Sequence, residues 1–217
     1  MGLGVAVLAI GAMVCAGVAL AAGSTIVGEP DNSFDTNAYM IDQGQVAQLQ
    51  VTGSSHNATA HGTGPDGKAL FRSPTISGGT TGVDGTQYLG TGDYTFYCTI
   101  HPSTMEATLQ VTGAGTPQAR PSATLAPKGK SLAKALKKGI KLAVSANTGI
   151  PGVAFTAKLG KTTIGKKTAS LSAGTQTVLV KLNKAGKSKL RGRSKAKVTV
   201  TAAIPFGSPA TAKVKLT

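Results

Sequence analysis

Residues 92–112 read GDYTFYCTIHPSTMEATLQVT, and the reading of the whole chain turns on this stretch. Its two ends, 92–98 and 107–112, have the residue content of β-strands. In the second, Leu109 and Val111 alternate with Thr108, Gln110 and Thr112, so one face is apolar and the other polar. Between the strands lie a thiol (Cys98), an imidazole (His101) and a thioether (Met105), all within eight residues. A second imidazole, His56, stands 42 residues upstream beside Asn57. Two His, one Cys and a weak axial Met are the donors of an electron-transfer copper site. Thiolate favours Cu(I), imidazole serves both oxidation states, and a long thioether contact tunes the potential.

Working outward, short strands are expected at 37–41, 45–52 and 57–61. Val46, Gln48 and Gln50 alternate with Ala47, Leu49 and Val51, which suits one layer of a two-layer sandwich. Ser77-Gly78-Gly79 and Gly82-Val83-Asp84-Gly85 read as turns. Residues 37–112 resemble the plastocyanin, amicyanin and pseudoazurin branch of the cupredoxins. The matching pieces are the G-x-V-x-x-L-x-V strand at 44–51, His56-Asn57, Leu70-Phe71-x-Ser73-Pro74, and the Gly-x-Tyr-x-Phe-x-Cys-x-x-His-Pro run ending at Met105.

This resemblance implies a Greek-key β-sandwich with one type 1 copper ion held by His56, Cys98, His101 and Met105. It also implies that Asn57 ties the first His segment to the Cys98-Thr99 backbone, and that His101 is the ligand nearest the surface and the route for electrons. The chain departs from its relatives in three places. Its C-x2-H-x3-M loop is one residue longer between His and Met than amicyanin-like loops and one shorter than plastocyanin's. Ser55 stands where many relatives have Pro, and Ala107 where a Gly is common.

His61 competes with His56. Five residues apart along a strand, the two face opposite ways, so one alone can reach the loop, and the adjoining Asn57 favours His56. Tyr88, Tyr94 and Phe96 read as sandwich residues without chemistry.

The chain has 217 residues, room for two domains, and its charge divides it in two. All 8 acidic residues lie between Glu29 and Glu106 with only Lys68 and Arg72 for company, two positive charges against eight negative, a net of −6. From Arg120 onward the sequence has 21 basic residues and no acid. Trp is absent, Gly numbers 29, and no long helical period follows the N-terminus, so both parts read as all-β.

Residues 3–22 are uncharged and apolar and end in Ala19-Leu20-Ala21, a small-x-small cleavage site. Residues 1–21 therefore read as a helical signal peptide or, because a run of about 20 apolar residues can span a bilayer, an uncleaved anchor. Either places the remainder outside the cytoplasm, in the periplasm, at the cell surface or beyond. Cys15 is an apolar filler within this run, which leaves Cys98 as the one cysteine of the mature chain.

Residues 22–113 then form the copper domain, 114–127 a Gly- and Pro-rich linker, and 128–217 a second module. Strands are expected in that module at 140–146, 153–158, 162–171, 176–182, 196–202 and 211–216. Ala196, Val198, Val200 and Ala202 alternate with Lys195, Lys197, Thr199 and Thr201, so one face is buried and the other carries lysine. The pattern fits an Ig-like sandwich and is similar to the basic Ig-like domains appended to exported actinobacterial proteins.

The lysine face serves either solubility or docking to an anionic envelope polymer or an acidic redox partner. Nucleic acid is not expected, because only Phe155 and Phe206 could stack bases in this module. The leading function is a one-electron shuttle between redox proteins. Its rival is a cell-surface binding or copper-storage protein. The cupredoxin resemblance argues against an enzyme, since oxidases and reductases of that superfamily need further His-rich centres and this chain has 3 His.

Overall fold

The computed structural model describes residues 25–217. The signal peptide or anchor read at 1–21 lies outside the described residues. The first sandwich contains β1 (Thr25–Gly28), β2 (Ala38–Asp42), β3 (Ala47–Val51), β4 (Thr59–Ala60), β5 (Gly79–Val83), β6 (Gly92–Tyr97) and β7 (Glu106–Thr112). One sheet has the order β1-β3-β5 and the other β2-β7-β6-β4. Strands β1 to β6 alternate between the sheets, a crossed connectivity of the Greek-key kind.

Period-2 patterning is realised as read. Ala47, Leu49 and Val51 of β3 face Leu109 and Val111 of β7 in one buried cluster, closed by the rings of Phe34, Phe71 and Phe96. Phe34 and Phe96 lie 5.1 Å apart between centroids, and Tyr39 and Phe96 6.0 Å. The Tyr39 hydroxyl donates to Asp35 at 2.5 Å; burial and this carboxylate together push its pKa well above the ordinary phenol value.

One stretch differs from the sequence reading. Gly79 and Gly82, assigned to turns, belong to β5, where Thr80 and Thr81 pair with Gln50 and Leu49. β5 is an edge strand, and an edge tolerates glycines whose weak strand preference disguises it in sequence.

The second sandwich contains β8 (Ala123–Pro127), α1 (Leu132–Lys138), β9 (Ile140–Ala146), β10 (Ile150–Leu159), β11 (Thr162–Leu171), β12 (Gly174–Val180), α2 (Lys184–Leu190), β13 (Ala196–Ala203) and β14 (Ala210–Leu216). Its sheets are β11-β10-β13-β14 and β12-β9-β8, packed on a core that includes Phe155, Ile164 and Val200. Its two helices, of seven residues each, are too short to show a helical period in the sequence. Each starts at a side-chain cap: Ser131 accepts from Lys134 N–H, and Asn183 from Gly186 N–H.

The stretch 114–127 does not run free between the halves. Residues 123–127 form β8 against β9, and Gln118 bonds back to Gln87 O and Gly44 O. Arg120 donates to Phe206 O and Tyr88 O, joining the two sandwiches. Phe206 is the plug of this joint. It sits in the left-handed region (φ 59°), its N–H donates to Asp66 at 3.1 Å, and the Arg72 guanidinium lies 4.1 Å over its ring. Tyr88, read as a plain sandwich residue, packs 6.1 Å from that ring. A Cβ at Gly85 would fall 2.8 Å from the Phe206 ring, so the plug needs glycine there.

Candidate metal centre

The site forms at the end of the first sandwich remote from this joint. β6 delivers Cys98 at its C-terminus and β7 receives the chain one residue after Met105. The connecting loop is closed by backbone bonds: Cys98 N to Met105 O at 3.1 Å, His101 N to Cys98 O at 3.2 Å and Met105 N to His101 O at 3.0 Å. The first histidine comes from the segment before β4, where His56 and Ile76 exchange backbone bonds of 2.9 and 3.0 Å. Cys98 and His56 are fully buried, His101 is half-buried, and Met105, four residues after His101, is fully buried.

The donor atoms of His56, Cys98 and His101 all lie within 4.8 Å of one another. Each imidazole turns Nδ1 to the thiol, and both Nδ1–Sγ separations are 3.9 Å. An ion with thiolate and imidazole bonds of about 2.3 and 2.0 Å at about 120° to one another would hold such donors about 3.7 Å apart. The three side chains can therefore hold a metal ion with little movement.

The protein sets which nitrogen of His56 is free. Its Nε2 faces Glu29 O at 2.9 Å and Ser54 Oγ at 3.2 Å. The Ser54 hydroxyl proton is committed to Pro30 O, so both groups at Nε2 are acceptors. Nε2 must carry the proton, which leaves the Nδ1 lone pair pointing at Cys98. The ring also packs on Gly28, where a Cβ would meet His56 Cδ2 at 2.9 Å. Gly28, Glu29 and Ser54 were not singled out from the sequence. Two act through carbonyl or missing side-chain atoms and carry no local motif.

Asn57 is buried and uses its whole amide. Nδ2 donates to Thr99 Oγ1 at 2.7 Å and Thr75 Oγ1 at 2.9 Å, while Oδ1 accepts from Thr99 N–H at 3.0 Å and Thr59 Oγ1 at 3.2 Å. It thus ties the His56 segment to the residue after Cys98. His61 is elsewhere: β4 carries it past the site, where it bonds to Glu106 at 3.2 Å and stacks on Tyr97.

No protein-family profile and no curated protein matches the chain. Solved structures do. The chain is similar in structure to cupredoxins. Auracyanin A, a blue copper protein of the green thermophilic photosynthetic bacterium Chloroflexus aurantiacus, is 17% identical, with 41% of this chain and 98% of that one covered and a TM-score of 0.31. Amicyanin of Paracoccus versutus is 21% identical over 42% and 81% of the two chains (TM-score 0.34). A mutant plastocyanin of fern is 22% identical over 42% and 100% (TM-score 0.34).

Proposed function

We propose that this chain is an exported type 1 copper protein that carries single electrons, whose copper would be held by His56 Nδ1, Cys98 Sγ and His101 Nδ1, with Met105 as a fourth, weaker donor. The observation that carries the proposal is the pair of imidazole Nδ1 atoms equidistant from one buried thiol, 3.9 Å each. A buried thiolate with two imidazoles is the donor set of a blue-copper site, and the ion supplies a one-electron Cu(I)/Cu(II) couple there. The chain's own contribution is rigidity. The Glu29 carbonyl and Ser54 hydroxyl lock the His56 tautomer, Asn57 fixes the spacing of the two ligand segments, and the loop bonds between Cys98 and Met105 hold the rest.

Burial differs across the site in a way that suits traffic of electrons from one side. His56 is sealed inside, whereas His101 is half-buried and neighbours Ile100, which is 46% exposed. A redox partner is read to dock over His101. A carrier is favoured over a catalyst because two of the 3 histidines are spent here and His61 is engaged with Glu106 and Tyr97. Export is part of the same proposal, resting on the apolar run at 3–22.

The test is visible absorption and EPR of the purified protein with Cu(II), beside Cys98→Ser. An intense thiolate-to-copper band with narrow copper hyperfine splitting, lost in the variant, is expected. A colourless protein with ordinary Cu(II) signals would overturn the carrier reading in favour of copper storage or a binding scaffold.

A further inference from the structure

The two sandwiches are stacked so that the candidate metal centre lies at one pole and a cluster of nine basic residues at the other. In the second sandwich, the β13–β14 turn and the start of β8 meet the first. The opposite ends of these strands, near Ala196, Leu216 and Pro127, lie a strand's length away, about 20 Å for seven residues. At that far end is a cleft of about 470 Å³ with Lys128, Lys130, Lys134, Lys138 and Lys141 in its lining. Its aliphatic lining comes from Ala135, Ile140, Leu179 and Leu216. A second cleft, of about 290 Å³, shares Leu216 and is lined by Arg193, Lys195, Lys197 and Lys215. The sequence has no acidic residue after Glu106, so none of these nine cations has a side-chain carboxylate of its own domain to neutralise it.

We infer that this pole is a binding site for a linear, phosphate-bearing polyanion without bases, which runs through both clefts and holds the metal pole outward. Three observations select that ligand. The clefts are concave and adjoin at Leu216, which fits a chain laid along them. Lysine supplies eight of the nine charges, and a flexible ammonium meets successive phosphates as a point charge where the planar fork of arginine would select one geometry. Of the two aromatic residues in this half, Phe155 is fully buried and Phe206 is the plug of the joint, so no ring is free to stack a base. A bilayer is disfavoured because the large exposed apolar side chains among the described residues, Met40 and Ile100, both belong to the first sandwich.

The inference is independent of the metal. Its test is binding of long-chain inorganic polyphosphate to the full chain by fluorescence anisotropy across a salt series. Lys130→Gln/Lys134→Gln in the cleft is compared with Lys166→Gln/Lys167→Gln, exposed on β11 and lining neither cleft. All four side chains are exposed, so neither pair should disturb folding, and both remove the same charge. The cleft pair should weaken binding about tenfold and make log Kd against log salt shallower by roughly one to two, with the β11 pair close to the unmodified chain. Equal weakening by both pairs would mean a diffuse charge effect and overturn the site. Tighter binding of an equally charged single-stranded oligonucleotide, or of phosphatidylglycerol vesicles, than of polyphosphate would overturn the ligand class.

Discussion

Replacing Asn57 by alanine removes four hydrogen bonds from a side chain that is only 4% exposed. Each such bond contributes about 0.5–1.5 kcal/mol net, and an orphaned buried partner costs more. Here the partners are only partly buried: Thr75 and Thr99 are exposed residues whose hydroxyls can turn to water. The total therefore falls near the low end of the sum, about 2–3 kcal/mol, or a factor of about 30 to 150 in the folding equilibrium. Urea unfolding of the copper-free protein followed by tyrosine fluorescence measures this directly. The chain has no Trp, and its 4 Tyr all lie between Tyr39 and Tyr97, so the signal reports the first sandwich and, through Tyr88, its joint with the second. Asn57→Asp is the control. Its carboxylate keeps the acceptor for Thr99 N–H, and the threonine hydroxyls can rotate to donate, so less than half the loss is expected. A loss below about 0.5 kcal/mol for Asn57→Ala, or equal losses for both variants, would refute the view that this amide network holds the ligand segments together.

Gly28→Ala should displace the His56 ring from its place beside Cys98 and weaken metal binding by about tenfold or more, as competition with a copper chelator would show. His61→Gln should leave the metal spectrum unchanged, since that ring is held by Glu106 and Tyr97. Burial favours the neutral form of Asp66, yet Phe206 N–H, the Arg72 guanidinium and Lys68 N–H outweigh it and hold its carboxyl below the usual carboxylate range. The folded pKa is thus lower than the unfolded one of about 3.9, so the stabilisation is present above that value and is lost as pH falls through the folded pKa. Limited proteolysis around residues 113–122 should accelerate on acidification in the unmodified chain, and Asp66→Asn should start high and respond less. Phe206→Ala should free the two sandwiches at neutral pH, detectable as an increased radius of gyration in X-ray scattering.

The local content of the sequence carried the donors and the layers. Cys98, His101 and Met105 are close in the chain, so a loop between two strands brings them together whatever the remainder does. Alternation in 107–112 and 196–202 marked which faces are buried, because a strand has no other way to present them. The choice between His56 and His61 was narrowed by strand parity and the Asn57 neighbour. It is decided in space by the pairing of Thr59 with Tyr97, which carries His61 to the outside.

Other features depend on residues far apart in sequence and had no local sign. Gly28 and the Glu29 carbonyl reach His56 only because β1 lies parallel to β3. Gly79, Gly82 and Val83 look like turn residues until β3 offers them a partner, and residues 123–127 look like linker until β9 does. Phe206 is noted in the sequence only as one of two aromatic residues of the basic domain, and becomes a plug only where Asp66, Arg72 and Gly85 of the other domain receive it. The chemistry of the donors, the all-β class and the division of charge follow from residue type and short-range periodicity and were legible before any fold was known. Tertiary structure alone decided which imidazole nitrogen faces the thiol, how the halves lock, and where the lysines converge, since each depends on contacts between segments that only the folded backbone brings within hydrogen-bonding or van der Waals reach.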